Sequence, residues 1–275
     1  MDDIRQNESR NTLLGTLIQD DTDHHWQQWG QTDPYYGVLT RPEFSKTNLH
    51  AESRHEFFAT GERHVNHVFE VIRSRIQPDF APERILDFGC GPARLVIPFC
   101  RRAKFVVGVD VSRPMLEEAR RNCDLHGVGS PQFLHSDELA SLPASSFDLV
   151  HTFIVLQHIP PHRGEKLFRS LVDLLTDGGI GAIHLTYSHN GSAFRHLLNV
   201  WRSYSGLLNG ILNVMTGRPF HRPTMMMNHY SLNRIFDVLL RAGCSKLSVE
   251  FSSDPAGCNG VMLYFEKAPS PLLAQ

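Results

Sequence analysis

Residues 85–95 read ILDFGCGPARL. An apolar run reaches Asp87, turns through Gly89 and Gly91, and passes into a segment of helical character. Strand, glycine loop, then helix is how an α/β protein brings its backbone close to a ligand. The spacing is unusual, because Arg94 stands where a G-x-G-x-x-G fingerprint has its third glycine. Three readings follow: a tight turn without a ligand, a dinucleotide loop lacking one glycine, or a loop for a different ligand.

The same alternation continues outward. RILDF (84–88), KFVVGVD (104–110), PQFLHSD (131–137), FDLVHTFIV (147–155) and IGAIHLTY (180–187) read as strands. ARLVIPFCRRA, PMLEEARRNCDLHG and EKLFRSLVDLL read as the helices between them. Pro98 weakens the middle of the first; Ser112 caps the second and Gly127 stops it; Gly178 and Gly179 stop the third. Upstream, Val65, Val68, Phe69, Ile72 and Ile76 mark one face of a helix over 51–76. Downstream, SLNRIFDVLLRAG is a helix, and KLSVEFSS and GVMLYFEK form a closing antiparallel pair. Strands buried on both faces and alternating with helices specify an α/β fold with a doubly wound, mostly parallel sheet. The expected organisation is an N-terminal extension or lid over 1–50 and a cofactor-binding core over 51–189. A helical cap insertion follows over 190–230, then a return to the core over 231–268.

Composition narrows the function class. The 275 residues are 41% hydrophobic and 20% charged, with a formal net charge of −2. Nothing there calls for a nucleic acid or an anionic membrane as partner. No apolar run reaches the ~18 residues of a membrane span. The acidic, polar start MDDIRQNESR is not a signal peptide. Five cysteines, odd in number and without a C-x-x-C, fit reduced thiols in the cytoplasm rather than a disulfide or a metal site. The expectation is a cytoplasmic protein acting on a small molecule without a metal, its oligomeric state unknown.

Three carboxylates follow consecutive strands. Asp87 ends the first, Asp110 the second, and Asp137 follows the third with Glu138 beside it. Asp110 lies about 20 residues beyond the loop, where a carboxylate accepts both ribose hydroxyls. Each acid alone is equally a helix cap or a loop residue. A carboxylate two residues before the glycines crowds a pyrophosphate and suits a cation. S-adenosylmethionine carries an ammonium, a ribose and an adenine, which the three acids match in order.

ILDFGCGPARL, VVGVDVSRPMLEEAR, FLHSDELASLPASSFDLV, VLQHIP and LLTDGGIGAIHL resemble, in that order, the motifs of class I S-adenosylmethionine-dependent methyltransferases, above all the small-molecule enzymes of types 11 and 12. The resemblance covers about 60–186 and the final strand pair. It implies a Rossmann-like methyltransferase fold, S-adenosylmethionine as cofactor and S-adenosylhomocysteine as product. It also implies that Asp87 orients the cofactor's amino group, directly or through water. Gly89 and Gly91 pass beneath the methionine part, Asp110 binds ribose, and Asp137 the adenine. Val111 and Met115 are candidates for the adenine wall and Phe153 for the cofactor edge, each being equally a packing residue. One departure is Ala93, where the family's G-x-G-x-G has its last glycine.

Methyl transfer is an in-line displacement in which positioning of the acceptor is the enzyme's main lever. A hydroxyl acceptor also benefits from a base. His158, in HTFIVLQHIPPH, is the candidate, with an unperturbed pKa of about 6.5 suited to that task; its equal alternative is a cap for the helix beginning near Pro160. His151, within the strand, reads as a packed structural residue. From Gly178 to Phe236 no Asp or Glu occurs in 59 residues, while arginines and histidines do. Arg195, Arg218 and Arg222 are candidates for an anionic substrate, or for pairing with the acidic N-terminal extension. Tyr36, His229 and Tyr230 complete the substrate candidates. O-methylation of a small molecule is the expected reaction, with N-methylation the nearest alternative. From other classes come a nicotinamide-dependent oxidoreductase and a non-catalytic cofactor-binding protein. Asp87 and Arg94 weigh against the first, and the retention of all three acids against the second.

Overall fold

The computed structural model describes residues 22–189, 206–215, 217, 220–253 and 257–269. Its seven-stranded sheet has the order β3-β2-β1-β4-β5-β7-β6. The strands are β1 Arg84–Phe88, β2 Phe105–Asp110, β3 Gln132–His135, β4 Phe147–Thr152, β5 Leu175–His189, β6 Cys244–Ser253 and β7 Cys258–Lys267. β1 to β5 are parallel, and β7 runs antiparallel to both β5 and β6. This is the doubly wound sheet with a closing antiparallel pair that the alternating sequence specifies. The order reverses at β1, so a crevice opens at the carboxyl ends of β1, β2 and β4.

Helices cover both faces. α1 Thr22–Thr32, α2 Pro34–Val38 and α3 Ala51–Arg75 precede the sheet. α4 Val96–Cys100 and α5 Arg113–Leu125 flank β2, α6 Pro161–Asp173 links β4 to β5, and α7 Gly206–Met215 and α8 Leu232–Arg241 follow. The periodic face of α3 is buried as expected: Val65, Val68, Phe69 and Ile72 join Phe99 and Ile85 in one core. On the other face Phe168, Leu171, Ile235 and Val238 pack against Leu86 and Val150. Each face thus removes a continuous apolar layer from water, at about 25 cal/mol for each Å² covered.

Two local expectations need correction. Gly178 and Gly179 do not end α6, which stops at Asp173. Leu175 already pairs with Phe147, and the ladder resumes at Ile180 opposite Leu149, so the glycines form a bulge inside β5. Gly178 takes φ +76 there, in the left-handed region glycine favours. The helix after the glycine loop is only five residues long. Pro98 sits within it and has no N–H to donate. The expectations for α5 hold: Ser112 Oγ accepts from Met115 N and Gly127 follows the end with φ +59.

The N-terminal segment packs on the core. Tyr35 is buried, and its hydroxyl donates to Glu118 Oε1 at 2.6 Å and Asn122 Oδ1 at 3.0 Å on α5. α7 is inverted relative to an ordinary surface helix. Asn209 and Asn213 are buried and donate to the Arg222 carbonyl, while Leu207, Ile211, Val214 and Met215 are exposed. Among the described residues no helix is long and apolar enough to cross a membrane.

Candidate functional site

The glycine loop is held in place by the end of the neighbouring strand. Asp110 Oδ2 accepts from Gly91 N and its Oδ1 from Ser112 N, both at 2.8 Å. Burial raises this carboxyl to about 6, against the pull of the two amides. Gly89 has φ +76, and a Cβ there would lie 2.2 Å from Val155 Cγ2. Gly91 has φ +50, and a Cβ there would meet Val38 of the N-terminal segment at 2.9 Å. Only glycine keeps this floor open. Ala93 occupies the left-handed region as well, with φ +69, and is fully buried.

Above the loop lies a cavity of about 250 Å³. Its floor is Gly89 and Gly91, and one end is formed by Asp110, Val111, Met115 and Asp137. Phe153, Ile154 and Val155 form the wall at the end of β4. Ile154 is a β-branched residue with φ +61, a conformation that persists only where its surroundings enforce it. The other end is built from Trp26, His158, Ile159 and Arg163, with Asp23 and Thr22 at the rim.

His158 is buried, and burial draws it down to about 4, well below the ordinary imidazole value. Its Nδ1 donates to the Met226 carbonyl at 2.7 Å, which makes Nε2 the acceptor nitrogen, and the Gln157 side-chain amide donates to it at a long 3.4 Å. Gln157 is itself oriented by Thr186, whose hydroxyl donates to its Oε1. His158 does not cap α6, whose N-cap Pro160 has no side-chain partner. The Trp26 ring stands 4.8 Å from the imidazole.

The remaining sequence candidates divide. Asp87 lies behind the floor and does not line the cavity. His151, its register partner on β4, donates from Nδ1 to Asp87 Oδ1 at 2.8 Å, while Oδ2 is buried without a partner. His151 Nε2 lies 3.0 Å from His64 Nε2, so a chain of three side chains runs from Asp87 to α3. Glu138 is not at the cavity: its carboxylate accepts from His135 N and closes the short helical turn Ser136–Ser141. Tyr230 is not at the cavity either. It is buried in the core, donating to the carbonyls of Leu156 and Ile159. His229 does not line the cavity. Tyr36 and Arg222 also stand outside it, the Arg222 guanidinium lying 4.8 Å from the Tyr36 ring and 5.6 Å from that of Trp29. Arg222 therefore ties the cap region to the N-terminal segment. Arg195 and Arg218 fall outside the described residues.

Four residues that line the cavity and bear on its chemistry were missed. Trp26 lies in the N-terminal extension, from which only Tyr36 was singled out. Asp23 and Arg163, 140 positions apart, meet at 2.9 Å across the mouth, and no motif marks either. Arg94 was read only as an absent glycine, yet it is buried and lines the cavity.

Residues 85–179 match a family model described as a methyltransferase domain. A ubiquinone biosynthesis O-methyltransferase of Neisseria meningitidis is 29% identical over 123 residues, 44% of this chain and 50% of that protein. A carboxy-S-adenosyl-L-methionine synthase of Nitratiruptor is 33% identical over 115 residues, 40% of this chain and 45% of that one. The chain thus spans about half the length of the curated relatives it matches. Among solved structures, magnesium protoporphyrin IX methyltransferase of Synechocystis with bound S-adenosylmethionine superposes with a TM-score of 0.56 at 15% identity, covering 90% of this chain and 98% of that one. The same enzyme with bound S-adenosylhomocysteine gives 0.55.

Proposed function

We propose, from the premise that residues 85–179 form a class I S-adenosylmethionine-dependent methyltransferase domain, that this chain methylates a hydroxyl of a small molecule. The observation that carries this reading is one continuous cavity. A glycine floor and an anchored acid form one end, and a buried neutral histidine faces the other.

The residues present fit the cofactor. Each Asp110 oxygen accepts one backbone N–H and retains a lone pair for a ribose hydroxyl. Val111 and Met115 offer an apolar wall, and Asp137, one oxygen of which lies 3.1 Å from His135 Nδ1, has its other oxygen to accept from an adenine amino group. Asp87 Oδ2 is a buried acceptor awaiting a donor. Bound there, S-adenosylmethionine supplies an electrophilic methyl group on a sulfonium.

The chain's own part is to bind, orient and hold a proton. The Met226 carbonyl fixes the His158 tautomer, so Nε2 accepts the acceptor's hydroxyl proton. Its low basicity suits a proton that is already acidic, as on a phenol or enediol. Trp26 and Phe153 present ring faces that orient a flat acceptor and exclude water. The O-methyltransferase among the relatives supports a hydroxyl over an amine. Arg163, the cation at the acceptor end, is already paired with Asp23, so the lining favours an uncharged acceptor over an anionic one. The N-terminal segment acts as the lid, and 220–230 as the part of the cap that holds His158.

The test is methyl transfer to a panel of matched phenols and anilines with wild type and His158→Gln. A loss of about 100-fold in kcat on phenols, with S-adenosylhomocysteine affinity unchanged, is expected. Asp110, raised to about 6, loses its charge before His158 gains one near 4. Donor binding prefers the carboxylate, so kcat/KM falls as pH drops through about 6, and that limb persists in His158→Gln. Preference for anilines with no loss in the variant would move the assignment to N-methylation.

A further inference from the structure

Arg94 carries more than the missing glycine. It is 5% exposed and lines the cavity together with the glycine loop. Nη1 reaches Thr60 Oγ1 only at 3.4 Å, and Nε has no partner. Among the described residues no carboxylate makes an ion pair with it; Asp87 attracts it through space without a hydrogen bond. A buried cation in this state is costly. The fold nevertheless makes room for it. Gly61, in the middle of α3, is where the helix meets Arg94: a Cβ there would lie 2.1 Å from the Arg94 carbonyl oxygen and 2.9 Å from its Cγ. A mid-helix glycine costs roughly 0.5–1 kcal/mol relative to alanine, a cost that here lets α3 pack directly on the main chain and Cγ of Arg94.

Asp87 shows the complementary deficit. Its Oδ1 is taken by His151 and its Oδ2 is buried without a partner. Two buried groups of opposite charge, each short of a hydrogen bond, Arg94 lining the cavity and Asp87 behind its glycine floor, match the two charged ends of an α-amino acid. We propose that Arg94 binds the α-carboxylate of the cofactor's methionine part while Asp87 Oδ2 takes the α-ammonium, directly or through water. The loop thus reads an amino-acid zwitterion, and position 94 is a binding residue of this chain. The inference rests on the cofactor reading above.

Calorimetric binding separates the two. S-adenosylhomocysteine carries both charged groups, its decarboxylated analogue keeps only the ammonium, and 5′-methylthioadenosine has neither. Wild type should bind S-adenosylhomocysteine about 10- to 100-fold more tightly than the decarboxylated analogue. Arg94→Met should abolish that ratio and leave 5′-methylthioadenosine within about twofold, with Arg94→Lys restoring part of it. Should the variants not fold, the wild-type comparison alone decides, because equal affinity for the acid and its decarboxylated analogue overturns the proposal. An equal loss for all three ligands in Arg94→Met overturns it too, since it would mark a structural role. Undiminished S-adenosylhomocysteine binding in that variant does the same, leaving Arg94 for the methyl acceptor. Failure of wild type to bind any of the three would be a failure of the cofactor reading itself.

Discussion

The two ends of the cavity are built by different means. At the donor end every group stands on or next to the parallel ladder. Asp110 ends β2 and is clamped by two backbone amides, and Asp87 is registered opposite His151 across β1 and β4. At the acceptor end the groups come from α1, the turn after β4, the start of α6 and the strand-free segment near Met226. They are joined by side chains: one ring contact between Trp26 and His158, one hydrogen bond to a carbonyl, and the Asp23–Arg163 pair at the rim. A ladder cannot yield locally, whereas a half-exposed ion pair is worth only about 0–1 kcal/mol. The donor end is therefore set by the sheet, and the acceptor end by side-chain contacts between separate elements.

That contrast can be broken first at the floor. Gly89→Ala forces a Cβ to 2.2 Å from Val155 in a left-handed conformation. Conformational strain and overpacking together predict a loss of about 3 kcal/mol, read by chemical denaturation, and loss of S-adenosylhomocysteine binding. A variant that keeps full stability and binding would refute the rigid floor. The acceptor end is expected to respond far less. Asp23→Asn should leave folding within about 0.5 kcal/mol and donor affinity unchanged, while raising the acceptor KM a fewfold, an effect that salt diminishes. A matching loss of donor affinity would show that the two ends are not independent. The smallest effect is expected at Ala93. Glycine there removes the cost of a left-handed alanine, ~1–2 kcal/mol, and returns part of it as unfolded-chain entropy. Ala93→Gly should change stability by under about 1 kcal/mol, favourably, with donor binding intact. A clear destabilisation in the melt would place the loop wrongly.

The same division governs what could be read from sequence. Strands such as RILDF and KFVVGVD are short apolar runs whose ends must carry the polar ligands of a switch point, so Gly89, Gly91, Asp110 and Asp137 could be found along the chain; the family resemblance added Val111 and Met115, and all six reach the cavity. Trp26, Asp23 and Arg163 could not, because their meeting depends on how α1 crosses the sheet, which no local pattern encodes. Tyr230 and Arg222 misled for a related reason. A tyrosine or an arginine in a loop looks like a ligand until packing shows the hydroxyl bonded to two carbonyls and the guanidinium stacked on rings. His158 was found by position, but its basicity was set by burial that only the fold supplies. At Gly178 a helix stop and a strand bulge demand the same left-handed backbone, so the residues alone did not distinguish them.

Gly61 has a consequence for anyone wishing to make this protein more robust. In a 25-residue helix an internal glycine is the first position an engineer would replace by alanine, on the ordinary rule that helices gain from it. Here the rule inverts. The added methyl would lie 2.1 Å from the Arg94 carbonyl oxygen, so the substitution would lower heat resistance, and a screen scored on that property would itself retain the glycine on which the loop's position depends.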